Sequence, residues 1–178
     1  MAPIALSGLG FLLVLLRVGI GGFDVANDTV GWVLVAVAML RLTPCSRWFA
    51  AAGWVAVVGA ALSLLTWVEP VRWAPAAEYT ALPPAIVLVA LGIGARAGEA
   101  RDGSVRRQAT AIAWVAGGAA VAGAVFDLAV RAGFEGLGAT TVLAAAASFV
   151  VTVWFVVLQL YLGRRTYLLP ELTGAPDG

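Results

Sequence analysis

Apolar residues fill this chain in six long stretches, separated by short clusters of charge, glycine and proline. The stretches cover residues 4–22, 30–40, 48–68, 83–97, 109–130 and 137–162. A transmembrane helix takes about 20 apolar residues, within a range of about 17–25. The second stretch is short, at 11 residues, unless its flanks out to Asp28 and Thr43 are added. Pro83 and Pro84 suit the first turn of a fourth helix, where a missing N–H costs nothing. The sixth stretch is long enough to tilt. The pattern predicts an all-α fold, a polytopic transmembrane helical bundle of six spans. It forms one domain over residues 1–165, followed by a disordered cytoplasmic tail at 166–178 that contains Pro170, Gly174, Pro176 and Gly178. No basic residue precedes Arg17 and the first stretch has full span length, so it reads as a helix and not as a cleaved signal.

The arginines orient the bundle. With the N-terminus in the cytoplasm, Arg41, Arg47, Arg96, Arg101, Arg106, Arg107, Arg164 and Arg165 fall in inner connections, while only Arg72 and Arg131 fall outside. That skew in short loops is a positive-inside signal, and it favours an even number of spans with both termini cytoplasmic. Asp24, Asp28, Glu69, Glu78, Asp127 and Glu135 collect on the outer side. Acidic residues hardly steer insertion, so their placement carries separate information. Trp67, Trp73 and Tyr79 bracket an outer loop, and Trp48, Tyr161 and Tyr167 lie near the inner surface, as interfacial aromatics do. Trp54, Trp114 and Trp154 sit deeper, where packing or lipid contact is the expected role.

Composition narrows the chemistry. Of 178 residues, 62% are hydrophobic and 12% charged, against about 45–50% and about 25% in soluble domains. A water-soluble globular fold and intrinsic disorder are both excluded on these numbers. The chain has no His and no Lys, and Cys45 is its single cysteine. Histidine-based relays and dyads, lysine Schiff bases, dithiol redox pairs and thiolate zinc sites therefore have no residues to build them. The expectation is a protein that is not an enzyme, with no catalytic residue, no metal and no cofactor. An intramembrane enzyme would need a hard cation held by carboxylates, and two Asp supply only part of such a site.

The chemically loaded segment is the outer turn between the first two stretches, R-V-G-I-G-G-F-D-V-A-N-D-T-V-G-W, residues 17–32. Arg17 lies about 7–8 Å below the end of its apolar run, where a charge is costly unless it snorkels or meets a carboxylate. Asp24 and Asp28 follow at i, i+4. Each has a structural reading. Asp28 suits the N-cap of the second helix, Asp24 suits a pair with Arg17, and the glycines suit close helix packing. The functional reading is a small polar site at the outer rim. Arg17, Asp24 and Asp28, roofed by Trp32 and Phe23, would bind a cation or a zwitterion. A second helix of only 11 apolar residues would let this turn dip into the membrane as a re-entrant segment lining a wet cavity.

A second cluster, Asp127 and Arg131 at i, i+4, lies at the outer end of the fifth stretch, with Glu135 beyond it. The string G-x-x-F-D-L-A there echoes G-G-F-D-V-A of the first turn, either by chance or as a parallel internal repeat. Ser63, Thr66, Ser148, Thr152 and Gln159 are polar residues within apolar stretches, for which helix packing is the simpler reading. The arginine pairs 106–107 and 164–165 read as anchors to anionic lipid.

The string D-V-A-N-D-T-V-G-W resembles a signature, roughly D-x-x-P-D-x-x-G-[Y/W] before an aliphatic helix, of a family of small bacterial multi-pass membrane proteins. Asp24, Asp28, Gly31 and Trp32 match, and Asn27 stands where the family has Pro. The resemblance covers about the first 40 residues. It implies a helical membrane protein with a shared outer turn, and carries no activity with it. The expected function is a small-molecule or ion binding or transport component. Its substrate-binding candidates are Arg17, Asp24, Asp28, Trp32, Asp127 and Arg131. The alternative is a non-catalytic accessory subunit of a membrane complex. Expected partners are the lipid bilayer and a homo-oligomer or another membrane protein, with no nucleic acid, at the bacterial plasma (inner) membrane.

Overall fold

The computed structural model describes residues 2–15, 24–68, 74–131, 138–165 and 168. Among them the chain is all helical, with no strand. The helices are α1 (Pro3–Leu15), α2 (Asp24–Arg41), α3 (Arg47–Val68), α4 (Ala74–Glu99), α5 (Gly103–Arg131) and α6 (Gly138–Leu162), with a 3-10 turn, Thr43–Cys45, between α2 and α3. Each helix packs on its neighbours in sequence, and α1 also packs on α6, which closes the bundle. Glycine contacts fix the up-and-down arrangement: Gly10 meets Gly31 and Val35, Gly59 meets Trp32, Gly92 meets Phe49, and Gly8 meets Gln159.

Three helices are long and apolar enough to cross a membrane, through Arg47–Leu65, Thr80–Glu99 and Gly103–Val125. Pro3–Leu15 and Phe149–Leu162 are shorter apolar helical segments. The surface agrees with this. On α2 the buried positions Asp28, Trp32, Val35 and Met39 repeat at helical spacing, yet the exposed stripe is Val30, Val33, Val37 and Leu40. A helix bathed in water would carry polar residues there. Trp54 and Trp114 are 66% and 78% exposed, which places both rings outside the protein core. Those exposures fit lipid contact for Trp54 and Trp114.

Several boundaries differ from the sequence expectation. α2 begins at Asp24 and runs 18 residues, about 27 Å of helix, close to the thickness of the hydrocarbon core. It is a continuous helix over those residues, and Asp28 lies in its second turn and does not cap it; the turn expected to dip into the membrane, residues 16–23, lies outside the described residues. α4 begins at Ala74, so Pro83 and Pro84 sit inside the helix and not in its first turn. They remove two rungs of its hydrogen-bond ladder, a loss that neighbouring helices in a membrane bundle make tolerable. α5 starts at Gly103, ahead of residue 109, because Asp102 caps it: its Oδ1 accepts from the Val105 N–H at 3.2 Å.

The α4–α5 turn is three residues long. Asp102 N–H donates to the Ala97 carbonyl at 2.8 Å and Arg101 N–H to the Gly98 carbonyl at 3.2 Å, the paired bonds of a Schellman stop. Arg101 takes the left-handed conformation, φ 56°, that this motif requires and that glycine usually supplies. Leu168, at the start of the expected tail, is buried; the rest of that tail lies outside the described residues.

Candidate functional site

Up-and-down packing brings the helix ends with the acidic residues together. The first turns of α2, the last turn of α3, the start of α4 and the last turn of α5 share one end of the bundle. Arg41, Arg47, Arg96, Arg101, Arg106, Arg107, Arg164 and Arg165 mark the other.

At the acidic end the described core of the site is Asp28 with its surroundings. Asp28 is 5% exposed, and it sits one turn before Trp32 on the buried stripe of α2. Next to it, Thr29 Oγ1 and Ser63 Oγ lie 2.8 Å apart and hydrogen-bond across the α2–α3 interface. Asp28 and Ser63 are each engaged by further groups. A buried carboxylate on α2 thus stands next in sequence to a threonine–serine pair that bridges α2 and α3. Burying a carboxylate this deeply costs several kcal/mol unless charge or hydrogen bonds compensate (about that order for an ion in a protein interior).

Trp32 is fully buried. Its indole lies against Gly59 of α3, where an added Cβ would be 2.6 Å from the ring. Phe11 of α1 meets it edge-on, with centroids 6.3 Å apart and planes at 69°. Phe11 in turn meets Phe155 of α6 at 5.3 Å and 67°. The ring expected to roof a rim site is taken up by core packing, as the floor beneath Asp28. Sequence could not foresee this, because the notch that accepts the ring is a glycine 27 positions away on another helix.

The other candidates fall as follows. Asp24 opens α2, four residues ahead of Asp28. Asp127 and Arg131 lie in the last turns of α5. α5 packs on α4 and α6, whereas α2 packs on α1 and α3. Asp28 and Asp127 therefore share an end of the bundle but not a principal helix interface. Arg17, Phe23 and Glu135 lie outside the described residues.

Two polar features were visible in the sequence only as single residues, without their partners. Ser7 of α1 and Gln159 of α6 clasp the seam that closes the bundle. The Ser7 hydroxyl lies 2.8 Å from the Ile4 carbonyl and 2.6 Å from Gln159 Oε1. One hydroxyl proton cannot serve two acceptors, and Gln159 Nε2 is buried without an acceptor. Turning the amide over resolves both: Nε2 donates to Ser7 Oγ, which donates to Ile4. The signal was a glutamine within an apolar stretch, but its partner lies 152 positions away. At the same end, Arg47 lies over the Trp48 ring at 5.1 Å. Arg165 lies over the Tyr161 ring at 5.3 Å and donates to its hydroxyl at 2.8 Å.

Comparison of the chain with known protein families, with curated proteins and with solved structures finds no match. The reading of the site rests on its own residues.

Proposed function

We propose that this chain is a multi-pass membrane protein of six spans, with both termini and the arginine-rich end facing the cytoplasm of a bacterial plasma membrane. We propose further that its acidic end holds a binding or transport site for a small cation or zwitterion, centred on Asp28. One observation carries this reading: Asp28 is 5% exposed, inside a bundle whose outward faces are apolar. Ionisable residues held at membrane depth are rare and usually mark a ligand or ion pathway. The Thr29–Ser63 pair beside it adds hydroxyl oxygens, the donors and acceptors that a desolvated small cation or ammonium group needs. Asp24 stands one helical turn ahead of Asp28 on α2.

Thermal unfolding of the purified protein in detergent tests this. Sodium, potassium, magnesium, calcium, choline and glycine betaine serve as probes at matched ionic strength. One of them should stabilise the wild type, by about 2.7 kcal/mol at roughly 100 times its Kd, and should leave Asp28→Asn unmoved. No response from the wild type to any probe, or an equal response from the variant, would reject the site. Labelling of single cysteines placed in successive loops of a Cys45→Ala background tests the six-span topology.

A further inference from the structure

The arginine-rich end carries a second feature, on the outer face of α4 and α5. Arg106 and Thr110 stand four residues apart on α5 and are exposed, so they form a ridge along the helix axis. On the α4 side lies a shallow hollow of about 370 Å³, floored by Ala90, Leu91, Gly94 and Gly98 of α4 and edged by Arg106 and Thr110. On the other side is an open face of α5 alone, along Gly103, Arg107, Ala111 and Trp114.

The hollow is made by missing side chains. A Cβ added to Gly94 would meet only Ala109, at 3.7 Å, and one added to Gly98 would meet only the Arg106 stem, from 3.7 Å. Its floor is made of small and apolar residues, and across the ridge Trp114 is 78% exposed. Among the described residues, no acidic side chain engages Arg106 or Arg107. Arg96, by contrast, is paired with Glu99. Arg106 therefore sits at the mouth of the hollow, and Arg107, next to it in sequence, lies on the open α5 face beyond the ridge. Thr110 lies about 6 Å and Trp114 about 12 Å further along the helix.

This pattern, positive at the top, polar at the ridge and apolar below on both sides, is the complement of one molecule with an anionic head and two hydrocarbon tails. Guanidinium groups match phosphate oxygens in geometry and charge. We propose that the ridge seats one anionic diacyl phospholipid, its phosphate held by Arg106 and Arg107, one acyl chain lying in the α4–α5 hollow and the other along the exposed α5 face beside Trp114. The site rests on the membrane reading but is independent of the acidic end, so failure of one leaves the other standing.

Native mass spectrometry of the full chain in non-ionic detergent tests the proposal, with dioleoyl phosphatidylglycerol and dioleoyl phosphatidylcholine as probes. One phosphatidylglycerol should be retained in preference to phosphatidylcholine. Arg106→Gln with Arg107→Gln should weaken it about 25-fold, about fivefold for each charge removed. Gly94→Leu with Gly98→Leu should weaken it comparably while keeping every charge, and should do so without lowering the melting temperature. Arg164→Gln with Arg165→Gln should leave this lipid bound. Equal retention of both lipids, or phosphatidylglycerol kept by the Arg106 and Arg107 variant, would overturn the site. So would equal losses in both arginine pairs, which would mean diffuse charge attraction. A stable dimer broken by the glycine variants would overturn it in favour of a second copy of the chain.

Discussion

At the α1–α2 crossing, a Cβ added to Gly31 would lie 2.7 Å from the Gly10 carbonyl oxygen, whereas one added to Gly118 of α5 would meet nothing within 4 Å. The contrast extends to whole regions. Where α1, α2, α3 and α6 meet, large rings interlock: Trp32 fills the notch at Gly59, and Phe11 lies between Trp32 and Phe155. Where α4 meets α5, the buried residues are mostly small, among them Ala90, Ala97, Ala109, Ala113 and Ala116. A cavity of about 80 Å³ beside Pro83 and Thr152 lies between α4, α5 and α6. In a lipid solvent, helices gain little by hiding oil from oil, so contact quality decides stability. The first region gains it through interlocking shapes, and the second through backbone closeness, leaving hollows on its surface. Glycine is therefore a packing requirement in one region and a source of open surface in the other.

The comparison can be broken experimentally, most strongly at Trp32. Trp32→Ala removes the largest buried side chain and should cost about 3–5 kcal/mol; an unchanged unfolding midpoint in detergent would mean the interlocked region does not hold the bundle. Next comes the matched glycine pair. Gly31→Ala should destabilise by about 1–3 kcal/mol, because the atom it meets is backbone and cannot swing away. Gly118→Ala should instead stabilise by about 0.5–1 kcal/mol, and a loss there of the same size as at Gly31 would erase the distinction. Arg101→Gly relieves a left-handed residue in the α4–α5 turn. It should raise stability by about 1 kcal/mol, read as a higher midpoint. The smallest effect belongs to the seam between α1 and α6. Gln159→Leu removes the clasp to Ser7 and should cost about 0.6 kcal/mol, with crosslinking between α1 and α6 reporting whether the seam loosens.

Much of the fold was legible because membrane insertion reads the sequence locally. Length and hydropathy of a stretch are properties of the stretch itself, so α3, α5 and α6 were marked within a few residues at most of their ends. The helix starts were less legible. α2 begins at Asp24 although its apolar run begins at Val30, and α4 begins at Ala74 although Pro83 looked like a start. In both, a polar or proline-bearing segment continues the helix ahead of the apolar run, which hydropathy alone does not mark. The candidate site divides in the same way. Asp28 stood out as a carboxylate beside an apolar run and is indeed buried. The hydroxyls next to it come from Thr29 and from Ser63, 34 residues on, and only the α2–α3 crossing joins them.

The sequence by itself determined the solvent this protein needs, the helical class, and the separation of eight arginines from six of the ten acidic residues. Those follow from composition and from the order of charges along the chain. Tertiary structure decided the rest: that Trp32 is a core ring, that Gly10 and Gly31 touch while Gly118 stays open, and that Gln159 closes the bundle onto Ser7. It also decided that Asp28 and Asp127 stand on helices with different packing partners. These are matters of which faces meet, and a face is chosen by the fit of side chains far apart in sequence.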